Sequence, residues 1–407
     1  MKKKLINGPI NVARLEGTIY GIKKVIYLFM DFHKDVFKQS QCDTLDSIDV
    51  SKYIVDNINN SNKKIQQDIF FETGIRDIGS APALPRGRYI DEVNRIFKKY
   101  GSDKKLSKNA RYHYIDIRDY LNREIYIVLY NIQMTHNKWF WNYIITNLQE
   151  YTQVLDNYNK LHVIVKHVYD AFNDKNKNKN KNKNKNKNKN KNKNKNTNTD
   201  NNTDNNTTDF NKVKYFIDKL KHKYKHSETK KQLSIIIDRI KKFFRKIIKI
   251  IEKIKLLFDE NREILLIDVN KINARHNFYG PDHTDFIKFR YKLEKQYDKL
   301  HKYILYGYAL IVDLFFLRRF IDKDNITNAV VYSGSMHSEL YIYILCKYYG
   351  FTMTHVAYIN NKYKKEKLAN YYRDMTIYDI YKTTTNIFYR DTLVQCSDLS
   401  HFPPNFE

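Results

Sequence analysis

The stretch AVVYSGSMHSELYIYIL (residues 329–345) places a turn of small residues and a histidine directly after a β-branched run. The run AVVY is typical of a buried strand, and the segment from Ser338 onward is typical of a helix. The turn between them would hold His337 at the carboxyl end of the strand. Because open α/β sheets place their ligand sites at that edge, the stretch predicts both a fold class and a site.

Alternating strand and helix patterns recur outward from this stretch. A hairpin is predicted over residues 11–31, ending in the apolar strand VIYLFMD. The run DIFFETG (residues 68–74) reads as strand then turn, YIDEVNRIFKKYG (89–101) as a helix, and ARYHYIDIRDYL (110–121) as a strand before a helical region. The order predicts an α/β fold, with a mostly parallel sheet flanked by helices, a long inserted helical region and a disordered Lys-Asn linker.

The predicted domain boundaries follow composition. Residues 1–172 and 326–407 would form the two parts of the α/β domain, 173–209 the linker and 210–325 a helical insertion. The perfect Lys-Asn alternation of residues 175–196 cannot bury a core. It is explained either by replication slippage or by an electrostatic tether to nucleic acid. Residues 210–258 have helical periodicity with basic residues opposite the apolar face, which favours packing on another helix but also suits a membrane surface or nucleic acid.

The charge and the cysteine content limit which partners and which cellular compartment are expected. The formal charge is +28, of which +20 lies outside residues 175–209, so a non-specific nucleic-acid partner is compatible with the sequence. The cysteines at 42, 346 and 396 show no zinc-ligand spacing and predict a reducing compartment. Neither a signal peptide nor a transmembrane segment is predicted, so we expect an intracellular, non-secreted protein. Oligomeric state is left open.

Polar side chains follow four predicted strands. If these strands are parallel, the side chains meet at one edge of the sheet, where they would form a divalent-metal site or a metal-free acid–base site. The alternative is that each residue satisfies local groups, with Asp31 as a cap and Glu72 paired with Arg76 or Arg118. The candidate site residues are Asp31, His33, Glu72, Arg118 and His337, and the candidate metal ligands are His33, Glu72 and His337; Asp35, Asp116 and Asp119 lie beside them.

These motifs resemble those of the erythromycin esterase, ChaN, TraB and Tiki superfamily of α/β proteins. There a strand ends in a Gly-Glu-x-His element, a second strand ends in Glu, and a late strand runs into Gly-x-x-His. Gly334 and His337 fit the last motif and Glu72 the middle one. Asp31 and His33 fit the first only in part, since Met30 and Asp31 replace the Gly and Glu. The resemblance implies hydrolysis of an ester, amide or peptide bond in a small-molecule or peptide substrate.

A second resemblance covers longer phrases. INGPINVARLEG, IYLFMDFHKD and DLFFLRRFIDKDNITNAVVYSGSMHS are similar to a protein family of giant nucleocytoplasmic DNA viruses. It implies a viral protein located in the host cytoplasm or in the virion.

Two functions are therefore expected. In the first, a hydrolase, His33 or Glu72 activates water, Asp31 and His337 orient it or hold the metal, and Arg118 stabilises negative charge. The second is a non-catalytic virion or host-interaction protein with a basic, nucleic-acid-binding surface. A weaker alternative is thiol catalysis by Cys42 beside His33.

Overall fold

The computed structural model describes residues 3–33, 40–72, 89–102, 109–142, 148–174, 205–265, 282–377, 379–380 and 385–407. Its strands are β1 (Leu5–Asn7), β2 (Asn11–Ile19), β3 (Ile22–Asp31), β4 (Ile48–Asp49), β5 (Gln67–Phe71), β6 (Ala110–Tyr114), β7 (Asn328–Gly334), β8 (Thr352–Val356) and β9 (Cys396–Asp398). Its α-helices are α1 (Val50–Asn60), α2 (Tyr89–Ser102), α3 (Arg118–Asn142), α4 (Leu148–Asn173), α5 (Asn205–His222), α6 (Ser227–Glu260), α7 (Arg262–Leu265), α8 (Asp282–Asp322), α9 (Ser335–Tyr349), α10 (Leu368–Tyr372) and α11 (Thr385–Phe388).

The predicted hairpin is confirmed as β2 and β3, which pair antiparallel from Asn11 opposite Met30 to Ile19 opposite Ile22. Tyr20 and Gly21 make the turn with φ angles of 52° and 79°. Two positive φ values in a two-residue turn match the twist of the flanking strands, and Gly21 adopts its φ without steric cost. The second half of β3 is buried along its whole length, as its continuous apolar run predicts.

The main sheet has the order β6-β5-β7-β3-β2-β8. The strands β6, β5, β7 and β3 pair in parallel, and β2 pairs antiparallel with both of its neighbours. The predicted mostly parallel sheet is therefore confirmed, with β2 as the reversed strand. The last residues of β3 and β7, Asp31 and Gly334, are directly opposite in the register, so both strands end at the same edge.

A small second sheet has the order β4-β1-β9, and a disulfide ends beside it, at the first residue of β9. Cys42 and Cys396 form a disulfide with Cα atoms 5.0 Å apart, although 354 positions separate them in the chain. Spacing along a sequence does not report distance in space, so the expected reducing compartment lacks its support. Cys42 is also not a free thiol, which removes the suggested thiol catalysis. Cys346 is free and buried.

The continuous helical pattern of residues 210–258 is two helices, α5 and α6. Between them, the backbone N–H groups of Lys225 and His226 donate to the carboxylate of Asp322 at 2.7 and 2.9 Å. This carboxylate satisfies amide groups where α6 begins, and it is supplied by a residue about a hundred positions away. Helical periodicity continues across the break, so the pattern alone does not reveal it.

The chain divides into two compact units. Unit 1 comprises Met1–Asp119, Tyr224–Arg239 and Tyr308–Glu407, and unit 2 comprises Tyr120–Lys223 and Ile240–Gly307. Both sheets belong to unit 1, and unit 2 contains the greater part of the long helices. The segment of residues 175–196 lies outside the described residues, so the disordered linker and the domain boundaries built on it stay predictions. Within the described residues, none of the helices combines the length and apolarity needed to cross a bilayer.

Candidate active site

The candidate site lies in unit 1, at the edge where the parallel strands end. Asp31 is the last residue of β3, Glu72 follows β5 directly, and His337 lies in the first turn of α9, after β7. His33 follows Asp31 with a φ of 44°, a left-handed conformation that is uncommon outside glycine. The strand ends thus bring three motifs together from distant parts of the sequence, and the backbone at His33 is held in a strained conformation.

Glu72 stands at the centre of this site and is almost fully buried. Its Oε2 accepts the backbone N–H of Gly334 at 2.6 Å and faces His33 Nε2 at 3.2 Å. Its Oε1 lies 3.1 Å from His337 Nε2 and accepts Arg118 at 3.4 Å. Burial opposes ionisation, but the charge of His337 and the hydrogen bond from His33 hold the pKa of Glu72 well below its usual value. Glu72 is therefore a carboxylate at neutral pH.

His33 is the more exposed histidine of the site, with 31% of its side chain open to solvent. Its Nδ1 lies 2.7 Å from Asp31 Oδ2, and Asp31 itself is buried. Burial alone would lower the pKa of His33, but the hydrogen bonds to Asp31 and Glu72 raise it to about 9. His33 is therefore an imidazolium at neutral pH, with both ring N–H groups directed at carboxylates.

His337 occupies an equivalent position on the buried side of Glu72. Its Nδ1 lies 2.5 Å from Oδ1 of Asp313, a fully buried residue of α8. Burial opposes its charged form, yet Asp313 and Glu72 together raise the pKa of His337 well above its usual value. Burial raises the pKa of Asp313, and the charge of His337 and its hydrogen bond counteract this effect.

Arg118 adds a permanent positive charge to the site. It begins α3 and donates to both oxygens of Asp116, at 2.8 and 2.6 Å, in addition to Glu72. Asp116 also accepts the backbone N–H of Arg118 at 3.0 Å, which fixes the start of the helix. The guanidinium is thereby aimed at Glu72.

The space around Gly334 explains why a glycine is found three residues before His337. A Cβ at this position would lie 3.2 Å from both Glu72 Oε2 and His33 Nε2, closer than nine in ten real Cβ contacts. Its φ of −53° is ordinary, so space rather than backbone conformation requires glycine here. The missing side chain lets the backbone N–H of Gly334 approach Glu72.

The structure brings together all five predicted site residues and adds Asp313, which the sequence analysis missed. Asp313 is the one acidic residue in the apolar run YALIVDLFF. Because a carboxylate within a buried helix face needs a partner, this pattern could have identified it. Asp35 and Arg76 lie outside the described residues, as does the side chain of Asp119. Among the described residues, no group of three or more His, Cys, Asp or Glu side chains is arranged to hold a metal ion.

The predicted metal ligands are of suitable residue types, but their nitrogen and oxygen atoms already pair with other side chains of the site. Each ring nitrogen of His33 and His337 faces a carboxylate oxygen within 3.2 Å. A metal bound by these residues would displace the protons that now join them. The arrangement as it stands is a chain of carboxylates and imidazoliums, which can store, donate or accept protons beside a guanidinium.

Comparison with known proteins places the chain in a family. The model of a family of unknown function (DUF5847) matches residues 4–407. The chain belongs to this family. Three relatives from Acanthamoeba polyphaga mimivirus, the uncharacterized proteins R706, R160 and R161, are each 30% identical to it. The alignments cover 99% of this chain and 97%, 97% and 98% of those proteins.

The predicted giant-virus family is thereby confirmed. No solved structure shows significant similarity to the chain. The comparisons therefore give no support to the resemblance to the erythromycin esterase superfamily, which stays a prediction.

Proposed function

We propose that this viral protein is a hydrolase that cleaves an ester, amide or peptide bond at the Glu72 site. The observation that supports the proposal most strongly is the convergence of Asp31–His33, Glu72 and His337 at the carboxyl edge of the parallel sheet, within hydrogen-bonding distance of one another. Clusters of ionisable groups with strongly shifted pKa values are typical of active sites.

His33 is the residue best suited to transfer a proton to or from water. It is partly open to solvent, whereas Glu72, Asp313 and His337 are buried. Glu72 is a weak base because four donors surround it and its pKa is low. Asp31 orients the ring of His33. To act on a substrate, His33 must break its hydrogen bond with Glu72.

Arg118 supplies the second element that hydrolysis requires. Addition of water to a carbonyl places negative charge on the carbonyl oxygen, and a nearby guanidinium stabilises that charge. About a quarter of the Arg118 side chain is exposed, so it can reach a substrate while it stays paired with Asp116. His337 and Asp313 hold Glu72 from the buried side.

The test is hydrolysis of a panel of p-nitrophenyl esters and fluorogenic amides and peptides by the purified chain. We expect His33→Asn to lower kcat/KM by at least about a hundredfold, in the range of lost general acid–base catalysis. His113→Asn is the matched control, because His113 also pairs with a buried aspartate, Asp68, at 2.7 Å but lies outside the site. Equal activity of His33→Asn and the native chain on every cleaved substrate would disprove the proposal.

A metal-dependent form of the proposal uses His33, Glu72 and His337 as ligands. It predicts that a divalent ion added to the chelator-treated chain raises both the melting temperature and turnover. The double variant His33→Ala/His337→Ala should lose both effects. A metal-free hydrolase would show the activity without either response.

We also propose the virion rather than the host cytoplasm as the place where the protein acts. The disulfide Cys42–Cys396 supports this location, because disulfides persist in oxidising settings such as virion surfaces and are rare in the cytosol. Mass spectrometry of alkylated protein from virions and from infected-cell cytosol would decide, since only the reduced form is alkylated at these two cysteines.

A further inference from the structure

The exposed side of α6 in unit 2 carries a row of basic residues. Its members follow one another at helical spacing, and all are exposed: Lys242, Arg245, Lys246, Lys249 and Lys253. The apolar line that α6 buries runs beside the row, through Phe243, Ile247, Ile251 and Ile254. At 1.5 Å per residue the row is about 16 Å long.

A second row runs along α8, within the part of that helix that belongs to unit 2. Its members are spaced alternately by four and three residues, and all are exposed: Lys288, Lys292, Lys295, Lys299 and Lys302. The buried line beside this row passes through Phe289, Leu293, Leu300 and Ile304. The row is about 21 Å long.

Ring contacts show that α6 and α8 lie side by side and antiparallel. Phe243, early in α6, contacts Tyr303, late in α8, with centroids 5.5 Å apart. Phe258, near the end of α6, contacts Phe289, near the start of α8, at 5.6 Å. Packed helices have axes about 8 to 10 Å apart.

Both rows lie on the same side of this helix pair. In each helix the row stands one residue before the buried line, as Lys246 precedes Ile247 and Lys299 precedes Leu300. A step of one residue back along a helix moves the position by the same angle around each helix axis. Because the helices are antiparallel, this step places the two rows on the same side of the pair. The ammonium of Lys246 lies 5.2 Å from the ring of Tyr303 across the seam, as this geometry requires.

Along the middle of this face the cations stand opposite one another. The contacts that join Phe243 to Tyr303 and Phe258 to Phe289 set a register in which Lys246, Lys249 and Lys253 lie within two residues of the positions opposite Lys302, Lys299 and Lys295. Cations concentrated on one face repel one another, and a polyanion with regularly spaced charges relieves the repulsion. The double row is defined here as these ten residues of α6 and α8.

We propose that the double row binds the phosphodiester backbone of nucleic acid without sequence preference. Axial steps of about 4.5 and 6 Å let neighbouring cations contact successive phosphates. An anionic membrane fits less well, because interfacial helices present a continuous apolar face. Here the exposed large apolar side chains do not form a continuous face along the pair: Leu256, Ile287 and Tyr291 lie at one end and Leu305 lies at the other. This inference does not depend on the proposed hydrolase.

The test compares two full-length variants that each lose six positive charges. In the row variant Lys246, Lys249, Lys253, Lys295, Lys299 and Lys302 are changed to Gln; in the control variant the exposed Lys160, Lys166, Lys214, Lys362, Lys364 and Lys367 are changed to Gln. The probes are a labelled 20-base-pair duplex, a labelled oligo(dT) and vesicles of phosphatidylserine and phosphatidylcholine. Binding is measured between about 50 and 200 mM salt, where phosphate contacts are most visible. Circular dichroism establishes that both variants are folded.

We expect the row variant to bind DNA at least about tenfold more weakly and to have a shallower dependence of log K on log salt. The expected loss of slope is about 0.9 per lost contact on the duplex and about 0.7 on the single strand, which separates the two forms of nucleic acid. The control variant should keep the native slope. An unchanged slope in the row variant would overturn the proposal and assign binding to another basic segment, such as residues 175–196. Equal losses in both variants, or row-dependent binding of vesicles alone, would overturn it as well. If the row variant does not fold, the double variant Lys249→Gln/Lys299→Gln tests the same slope.

Discussion

In unit 1, a cluster of carboxylates and histidines lies near each end of β5. Near the start of β5, the buried Asp68 accepts two hydrogen bonds from Arg111, at 2.8 and 2.6 Å, and faces His113 at 2.7 Å. Arg319 donates to His113 Nδ1 at 3.3 Å, so that nitrogen must accept. After the end of β5, the partners of Glu72 are two histidines, a backbone N–H and the more distant Arg118.

The difference lies in which cations hold the buried acid. Guanidinium groups stay charged at all relevant pH values, so Arg111 keeps Asp68 paired with a cation throughout. Imidazolium groups can lose a proton, and because the pKa of His33 is raised to about 9, the cluster at Glu72 changes its charge as the pH rises through that value. One buried acid is therefore held mainly by a guanidinium group, and the other mainly by imidazolium groups that titrate.

The largest effect should come from removing the central acids. Glu72→Ala leaves two imidazoliums and a guanidinium facing one another without their shared carboxylate, and we expect a loss of about 3 to 5 kcal/mol in the free energy of unfolding. Asp68→Ala should cost less, because Arg111 is about one-third exposed and can turn to water. Urea denaturation at neutral pH measures both; a larger loss for Asp68→Ala would reverse the comparison.

The second-largest effect should be a difference between the two clusters in how stability depends on pH. The pKa of His33 is raised in the folded state from 6.5 to about 9, so its stabilisation is complete below pH 6.5 and is lost as the pH rises through 9. We expect the native chain to lose up to about 3 kcal/mol over this interval, at about 1.4 kcal/mol for each unit of pKa shift.

His33→Asn should flatten this pH dependence, and His113→Asn should leave it in place. The same titration governs catalysis if His33 acts as a base: turnover should then rise with pH and level off above about 9. A fall over that interval would instead assign His33 the role of acid.

A smaller effect is expected from Gly334→Ala. The added methyl group would meet Glu72 Oε2 and His33 Nε2 at 3.2 Å and push both away from β7. We expect a stability loss of about 1 to 3 kcal/mol, typical of overpacking, and a shift of the His33 pKa toward its ordinary value. Titration of the histidine ring protons by NMR measures that shift. Gly21→Ala is the control, because its Cβ would meet open space; it should lose stability at its positive φ without moving the His33 pKa.

The smallest effect on stability should come from exchanging the arginines. Arg118→Lys keeps the charge but cannot hold Asp116 and Glu72 together, and because the side chain is partly exposed we expect a change below about 1 kcal/mol. Arg111→Lys should change stability by a similar amount. Hydrolysis distinguishes them: only Arg118→Lys should lower kcat. Equal kcat values would exclude the proposed role of Arg118.

The sequence was sufficient to predict much of the fold and of the site, because both follow from strand ends. A β-branched run that ends in polar residues predicts where a parallel strand stops, and this rule found His33, Glu72, Arg118 and His337. Asp313 was missed because it lies within a 41-residue helix, and helical periodicity does not show which buried residue meets a strand end. The disulfide and the start of α6 at Ser227 were missed because both depend on partners about a hundred or more positions away.

The disulfide makes most of the polypeptide a covalently closed ring. Every residue from 43 to 395 lies between its two cysteines. A protease that cuts after any of the eleven lysines in residues 175–196 therefore opens this ring without releasing a fragment. On a non-reducing gel the nicked chain keeps its full mass, and it falls into two pieces only when a reductant is added. The protein would thus remain one molecule after a single cut in this lysine-rich segment.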